Sequence, residues 1–295
     1  MTLTAYADLS VIPVSFDFCV FLIKSELARR KANAKRLHVV IVPSEKDASG
    51  FRDKSQFYDA HEARWRLHNI CVPACALIGA TVTLATGWEQ ARKLKTEHVF
   101  PHDWDHQSLK ERRHLIGDVI TAAKSGVEIP RFNASVHARR KVREVFGGRS
   151  VVTMTMRHTY LKERNSDRAA WEAARQNIES RGYAVYKLED VSVALSRGVG
   201  YGELNLELRM AMYQEAVLNL QSNNGTASLC WFSDKPYAMF GAGVPADEWA
   251  GLFVRQGLPL GESWPWAGPK QKIVYKPATF EALKEAFDDW ASATK

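Results

Sequence analysis

The chain has 295 residues, with 40 Lys+Arg against 33 Asp+Glu, a formal net charge of +7 and a sequence pI near 9.2. That length suits about two average domains, and 46% hydrophobic residues with only 18 Gly and 11 Pro exclude a disordered or fibrous chain. The longest apolar run near the start, Phe16 to Ile23, is too short to span a bilayer, and no basic segment precedes an apolar stretch as in a secretory signal.

Strand and helix patterns alternate from the start. Leu9 to Val14 reads as a buried strand and Ser15 to Ala32 as a helix with a Phe18, Phe21, Leu22, Leu27 stripe. The β-branched run from Leu37 to Val42 predicts a strand buried on both faces of a parallel sheet. A polar loop follows from Pro43 to Ser55, then a helical region from Gln56 to Gly79 that Pro73 breaks or kinks. Thr81 to Thr86 is the third predicted strand, and Trp88 to Lys95, Leu109 to Lys124 and Ser135 to Phe146 are helices. Gly147-Gly148 then interrupts the pattern.

Beyond it the alternation restarts. Strands are predicted over 151–156, 183–188, 237–240 and 272–275, with a further one over 191–195. The intervening helices are 167–180, 204–220, 246–256 and 280–293. Two consecutive blocks of this kind imply two doubly wound α/β domains, 1–147 and 148–295, with ligands beyond the carboxyl ends of the strands and a cleft between domains as the default site.

The charge follows the same division. Residues 1–149 carry 24 Lys+Arg against 16 Asp+Glu, and the remainder 16 against 17. The excess gathers in helical runs such as Arg139-Arg140-Lys141-Val142-Arg143, which are ordinarily solvated faces. Without a secretory signal the four cysteines are expected to be cytosolic thiols. Cys71 and Cys75, four apart on a helix, match neither a redox Cys-x-x-Cys nor half a zinc pair and read as buried small apolar residues.

The segment richest in chemistry is Asn223-Asn224-Gly225-Thr226-Ala227-Ser228, a turn opening a short helix with small residues at its start. Free N–H groups there suit a phosphate, and the plainer alternative is a tight turn with Asn224 or Thr226 as N-cap. Arg157 follows the strand 151–156 directly, a place where a charge has few structural reasons to sit. Arg164 lies just before the next helix, with Asn165 or Ser166 as its cap, and has an ion pair with Glu163 or Asp167 as its plainer reading. Two arginines beside helix N-termini suit a diphosphate.

In its second half the order of strand, Arg, capped helix, strand, long helix, Asn-Gly turn, small-residue helix and Pro-led strand resembles the donor-binding half of the GT-B glycosyltransferases. That resemblance covers residues 151–277. It implies two Rossmann-like domains facing across a cleft, with the second holding a nucleotide-sugar. It assigns the phosphates to Asn224, Gly225 and Thr226, and support of the leaving group to Arg157 or Arg164. The Glu-x7-Glu signature of many retaining members has one match here, Glu207 with Glu215, inside a predicted helix rather than at a helix entry. This favours an inverting enzyme and leaves Glu189 and Asp190 as candidates for the ribose.

Inverting transfer needs a general base for the acceptor hydroxyl, which in that fold comes from the first domain. Asp17, just past the first strand, is the leading candidate, with a helix-dipole acid as its plainer role. Asp53 and Asp47 follow, in a loop whose Arg52 suits a phosphate or an acidic acceptor. His102-Asp103-Trp104-Asp105-His106 contains an Asp-x-Asp, the metal motif of another glycosyltransferase class, but among fourteen aspartates it reads as a polar loop. Gly198-Val199-Gly200-Tyr201-Gly202 lacks the third glycine of Gly-x-Gly-x-x-Gly.

The expectation is therefore a cytoplasmic glycosyltransferase, inverting, with no metal and no cofactor other than its nucleotide-sugar donor. Its acceptor is a glycan, lipid or protein. The basic first half would meet an acidic surface, such as the inner face of a membrane. The rival readings are a non-catalytic binder of nucleic acid or an acidic polymer, and a nucleotide-sugar epimerase-like enzyme. No aromatic-interleaved basic stripe supports nucleic acid.

Overall fold

The computed structural model describes residues 1–45, 49–51, 59–102, 104, 116–158, 165–189, 205–241 and 246–294, with the backbone alone for 246–250. Two compact units emerge: Met1–Ala122 with Glu128–Arg131, and Ala123–Val127 with Phe132–Lys295. The change of unit thus comes before the helix Val136–Phe146 rather than after it, and Gly147 is simply that helix's left-handed cap at φ 60.

The first unit holds a parallel sheet of β1 (Thr2–Asp8), β2 (Arg36–Val42), β3 (Thr81–Leu84) and β4 (His98–Phe100), in the order β3-β2-β1-β4. The first strand is Thr2–Asp8 and not the more hydrophobic Leu9 to Val14. Leu3 to Asp8 are all buried, and Ala5 and Ala7, with no exposure at all, pair in register with Val39 and Ile41. The stretch after it is a turn, closed by the N–H groups of Val11 and Ile12 on Asp8 O, and Pro13 there has no donor for a ladder. The helix Phe18–Lys31 buries Phe18, Phe21 and Leu22 completely. Its basic last turn is drawn back onto Glu26, which takes Arg29 at 2.6 Å and Arg30 at 3.0 Å.

The kink expected at Pro73 is a change of helical type. Ala60–Arg66 is α-helical, Leu67–Cys71 winds as a π-turn, and Val72–Leu77 resumes the α-helix with Pro73 in its first turn. The wider turn takes up the strain of a residue that lacks an N–H and crowds the preceding carbonyl. Cys71 and Cys75 are fully buried on this helix, with the Cys75 thiol donating to Cys71 O at 3.4 Å.

The second unit is a five-stranded parallel sheet of β5 (Val151–Thr155), β6 (Ala184–Leu188), β7 (Leu218–Ser222), β8 (Tyr237–Phe240) and β9 (Gln271–Val274), in the order β6-β5-β7-β8-β9. Strand β7 falls where helix was expected to run on to Leu220. The helix is Leu206–Glu215, stopped by Ala216 in extended backbone at ψ 146. On one face Val152, Met154, Leu218, Leu220 and Phe240 pack against Trp171 and Ile178 of the helix Arg168–Glu179 and Leu283, Phe287 and Trp290 of the helix Phe280–Ser292. The other face is polar between β5 and β7. There the Thr153 hydroxyl donates to Asn219 Oδ1 at 2.6 Å, and Asn219 Nδ2 donates to Tyr213 O and Pro236 O, both at 3.0 Å.

Counted by these units, the charge no longer segregates: the first has 18 Lys+Arg against 15 Asp+Glu and the second 22 against 18. The basic run Arg139 to Arg143 belongs to the second unit, where Glu215 takes Arg139 at 2.5 Å and Arg143 at 3.4 Å. Among the described residues no helix is long and apolar enough to cross a membrane.

All four cysteines, Cys19, Cys71, Cys75 and Cys230, are free thiols inside the protein, and burial raises Cys71, Cys75 and Cys230 well above the usual thiol range. The folded protein should therefore show no fast-reacting thiol toward Ellman's reagent and four equivalents after denaturation. A rapid equivalent from the native state would contradict this packing.

Candidate functional site

In a doubly wound sheet the crevice opens where neighbouring crossovers leave in opposite directions, at the carboxyl ends of the strands. The order β6-β5-β7-β8-β9 puts that point between β5 and β7. A pocket of about 230 Å³ lies there, lined by Arg157 after β5, Ser222 and Asn223 at the end of β7, Gly241 after β8, and Asp167 and Thr279 at two helix starts.

Short hydrogen bonds shape its floor. The Arg157 N–H donates to Ser166 Oγ at 2.8 Å, and Ser166 Oγ lies 2.5 Å from Ser222 Oγ. Arg157 Nη1 donates to Asn223 O at 2.7 Å, so the loop after β5 is tied to the loop after β7. Asn223 is 7% exposed, and its Nδ2 has no partner among the described residues. An amide donor left open in a buried place carries a desolvation cost that an anionic or carbonyl ligand would remove.

The two helix starts differ electrically. Asp167 caps its helix with a carboxylate, accepting from Ala169 N at 2.9 Å, whereas Thr279 uses a neutral hydroxyl that accepts from Ala282 N at 3.2 Å. The 13-residue helix Phe280–Ser292 thus starts at the pocket with a neutral cap, and its positive end is offset only by Glu281 in the first turn. Gly241, at φ 79, turns the chain away from β8 in left-handed backbone that other residues adopt only with strain, and its N–H donates to Lys276 O at 3.1 Å.

Of the residues singled out in the sequence, Arg157, Asn224, Gly225 and Thr226 come together at the ends of β5 and β7. The turn itself is closed. Asn224 Oδ1 accepts from Thr226 Oγ1 at 2.8 Å and from Ala227 N at 3.2 Å, and the N–H groups of Ser228 and Leu229 bond to Gly225 O and Thr226 O. Thr226 is 2% exposed, and the helix behind it, Ala227–Trp231, has only five residues. What faces outward is the backbone of Gly225; among the described residues the buried side-chain donors of this turn without partners are Nδ2 of Asn223 and of Asn224.

Glu189 lies elsewhere, past the end of β6. It borders a second pocket of about 370 Å³ that Met154, Met156, Trp171 and Lys187 also line. Glu172 stands at the same pocket, its carboxyl held down to about 2 by hydrogen bonds from Arg175. Asp17 is in the first unit, exposed at the start of the helix Phe18–Lys31, with Ser15 Oγ donating to its Oδ2 at 3.2 Å and no capping bond of its own. Asp53, Arg164, Asp47, Arg52, Asp190 and the glycines 198–202 lie outside the described residues.

The Glu-x7-Glu pair is structural, since Glu215 takes two arginines and Glu207 accepts from Ser135 N at 3.3 Å. Trp104 of the Asp-x-Asp loop is core, stacked on Tyr6 at 3.8 Å, and among the described residues no group of three or more His, Cys, Asp or Glu is placed to hold a metal.

Ser222 and Thr279 were not singled out from the sequence, and Asn223 and Ser166 entered only as part of the Asn-Asn-Gly turn and as a candidate helix cap. Thr279 carries an ordinary N-cap signal, a hydroxyl before an apolar helical run. Nothing local marks it as a neighbour of Arg157, because that depends on the order of strands in the sheet.

The sequence matches no protein-family model and no curated protein. Solved structures resemble its fold. The E. coli ADP-heptose LPS heptosyltransferase II aligns at TM-score 0.55 with 8% identity over 100% of both chains. The glycosyl transferase family 9 protein of Veillonella parvula aligns at 0.53 with 10% identity over 99% of this chain and 97% of that one. The heptosyltransferase TibC, solved in complex with ADP-D-β-D-heptose, aligns at 0.50 with 11% identity over this whole chain and 77% of its own. At these identities the likeness is one of architecture: two parallel α/β sheets, flanked by helices, as in GT-B glycosyltransferases.

Proposed function

We propose that this chain is a glycosyltransferase that takes its sugar from a nucleotide-sugar, with the donor's diphosphate seated at the ends of β5, β7 and β8. The observation that carries the reading is the pocket where Arg157, the open Asn223 amide and the helix start capped by the neutral Thr279 converge. Departure of a nucleoside diphosphate requires positive charge and donors aimed at its oxygens. Arg157 and the helix end supply these from the protein, which supports transfer without a metal. Engagement of Glu207 and Glu215 in other bonds supports an inverting route. A nucleotide-sugar donor agrees with TibC, the like-folded protein solved with ADP-heptose. Glu189, beside the larger pocket, is our assignment for the ribose and Asp17 for the base that takes the acceptor proton.

Calorimetry across nucleoside mono- and diphosphates and nucleotide-sugars should show binding, tightest for the diphosphate forms; a protein that binds none of them is not this enzyme. Arg157→Ala should weaken the best nucleotide about 10- to 100-fold, the loss of one charged hydrogen-bonding group worth roughly 1.5–3 kcal/mol, while the melting temperature changes little. An unchanged dissociation constant would remove Arg157 from the site.

Asp17→Asn provides the complementary check. With an acceptor in hand, transfer should be abolished while nucleotide affinity stays within about twofold, since Asp17 belongs to the first unit. Substantial residual transfer would dismiss it as the base.

A further inference from the structure

Arg209 lies on the inner side of the helix Leu206–Glu215 and has no exposed surface at all. Burying a guanidinium is a poor way to stabilise a fold, because desolvation consumes what its bonds return and an apolar side chain of the same size does at least as well. Its bonds indicate another purpose. Nη2 donates to Glu189 O at 2.7 Å, just past β6, and Nη1 donates to the Tyr213 hydroxyl at 3.3 Å.

Tyr213 carries the connection onward. Its oxygen lies 3.0 Å from Thr155 Oγ1, the last residue of β5, and its proton goes to Thr226 Oγ1 at 3.4 Å. Thr226 in turn donates to Asn224 Oδ1 at 2.8 Å. A phenol has one proton and two lone pairs. With that proton donated to Thr226 Oγ1, the Tyr213 oxygen accepts from Arg209 and Thr155, and the relay runs in one consistent direction from Arg209 to Asn224. The direction matters, because it pins Asn224 with its oxygen inward and leaves Nδ2, buried and without a partner among the described residues, as a donor held ready.

We infer that Arg209, acting through Tyr213, is a positioning residue that presets the ends of β5, β6 and β7 for an anion and makes the site favour a diphosphate over a monophosphate. The guanidinium touches no ligand. It fixes the loops that do, and it places a full positive charge behind them in a medium where charge is weakly screened. Burial drives the Cys230 thiol upward, and the Gln221 hydrogen bond and then the Arg209 charge pull it part of the way back. The inference rests on the nucleotide-sugar reading of the same pocket.

The test uses the full-length protein, with inorganic pyrophosphate, a nucleoside diphosphate and its monophosphate as probes, and melting temperature measured alongside. Tyr213→Phe keeps the ring and removes one oxygen, so it interrupts the relay in a protein that still folds; Arg209→Met and Arg209→Lys act on the charge. We expect Tyr213→Phe and Arg209→Met to weaken pyrophosphate at least tenfold and to lower the diphosphate-to-monophosphate affinity ratio by a similar factor, with Arg209→Lys recovering part of the ratio. A purely structural role would lower the melting temperature and both affinities together, leaving the ratio unchanged, and that result overturns the inference. So does pyrophosphate affinity within twofold of wild type in a folded Tyr213→Phe protein. Wild-type protein that binds neither pyrophosphate nor any nucleotide overturns the nucleotide-sugar reading and this inference with it.

Discussion

One alternation organises the second sheet. In β5 and β7 the residues Val152, Met154, Leu218 and Leu220 face an apolar layer, while Thr153, Thr155 and Asn219 face a helix with their polar groups. Polar side chains buried between a sheet and a helix must each find a partner, so the helix Leu206–Glu215 has little freedom to slide or rotate. Asn219 fastens it at Tyr213 O, and Tyr213 reaches back to Thr155. An all-apolar seam would bind the same layers with less specific register, and the loops above it would inherit that looseness.

That seam also explains what could be read from the chain and what could not. Strands with β-branched runs, such as Val39 to Val42 and Val151 to Thr153, were legible because burial on both faces leaves an uninterrupted apolar signature. Strand β7, Leu-Asn-Leu-Gln-Ser, was not, because its buried polar face imitates the polar side of a helix that the preceding residues had already begun. Strand β1 was obscured differently: its buried alanines are weakly hydrophobic, and a greasier turn follows. At the site, Arg157 stood out as a charge at the end of a strand. Asn223 and Asn224 are indistinguishable by residue type, and only the hydrogen-bond directions separate one facing the pocket from one held by a relay. Arg209 resembled any charged residue on an amphipathic helix.

Charge carries a related lesson. A split at Gly147-Gly148 makes the first half look like a basic surface seeking an acidic partner. Of the basic residues in 1–149, the division by packing places four arginines and two lysines in the second unit, four of those six in the single helix Val136–Phe146. Glu215 holds two of that helix's arginines and Glu144 lies 2.9 Å from Lys141, so much of the apparent field is spent on neighbours. The segregation that suggested nucleic acid or a membrane surface therefore belongs to a division at the double glycine and not to the packed units.

The path of the chain between the units has its own implication for how the protein came to be built. It enters the second unit at Ala123, returns to the first at Glu128 and leaves it again at Phe132. Ala134 and Ser135 then donate to Gln214 and Glu207 before the helix Val136–Phe146 settles against its neighbour. A gene fragment opening at the double glycine would lack Ala138, Val142 and Phe146 and would strip the covering from the very helix that carries Tyr213. The fold of the second unit is thus not a cassette that a cut at the double glycine could lift out whole.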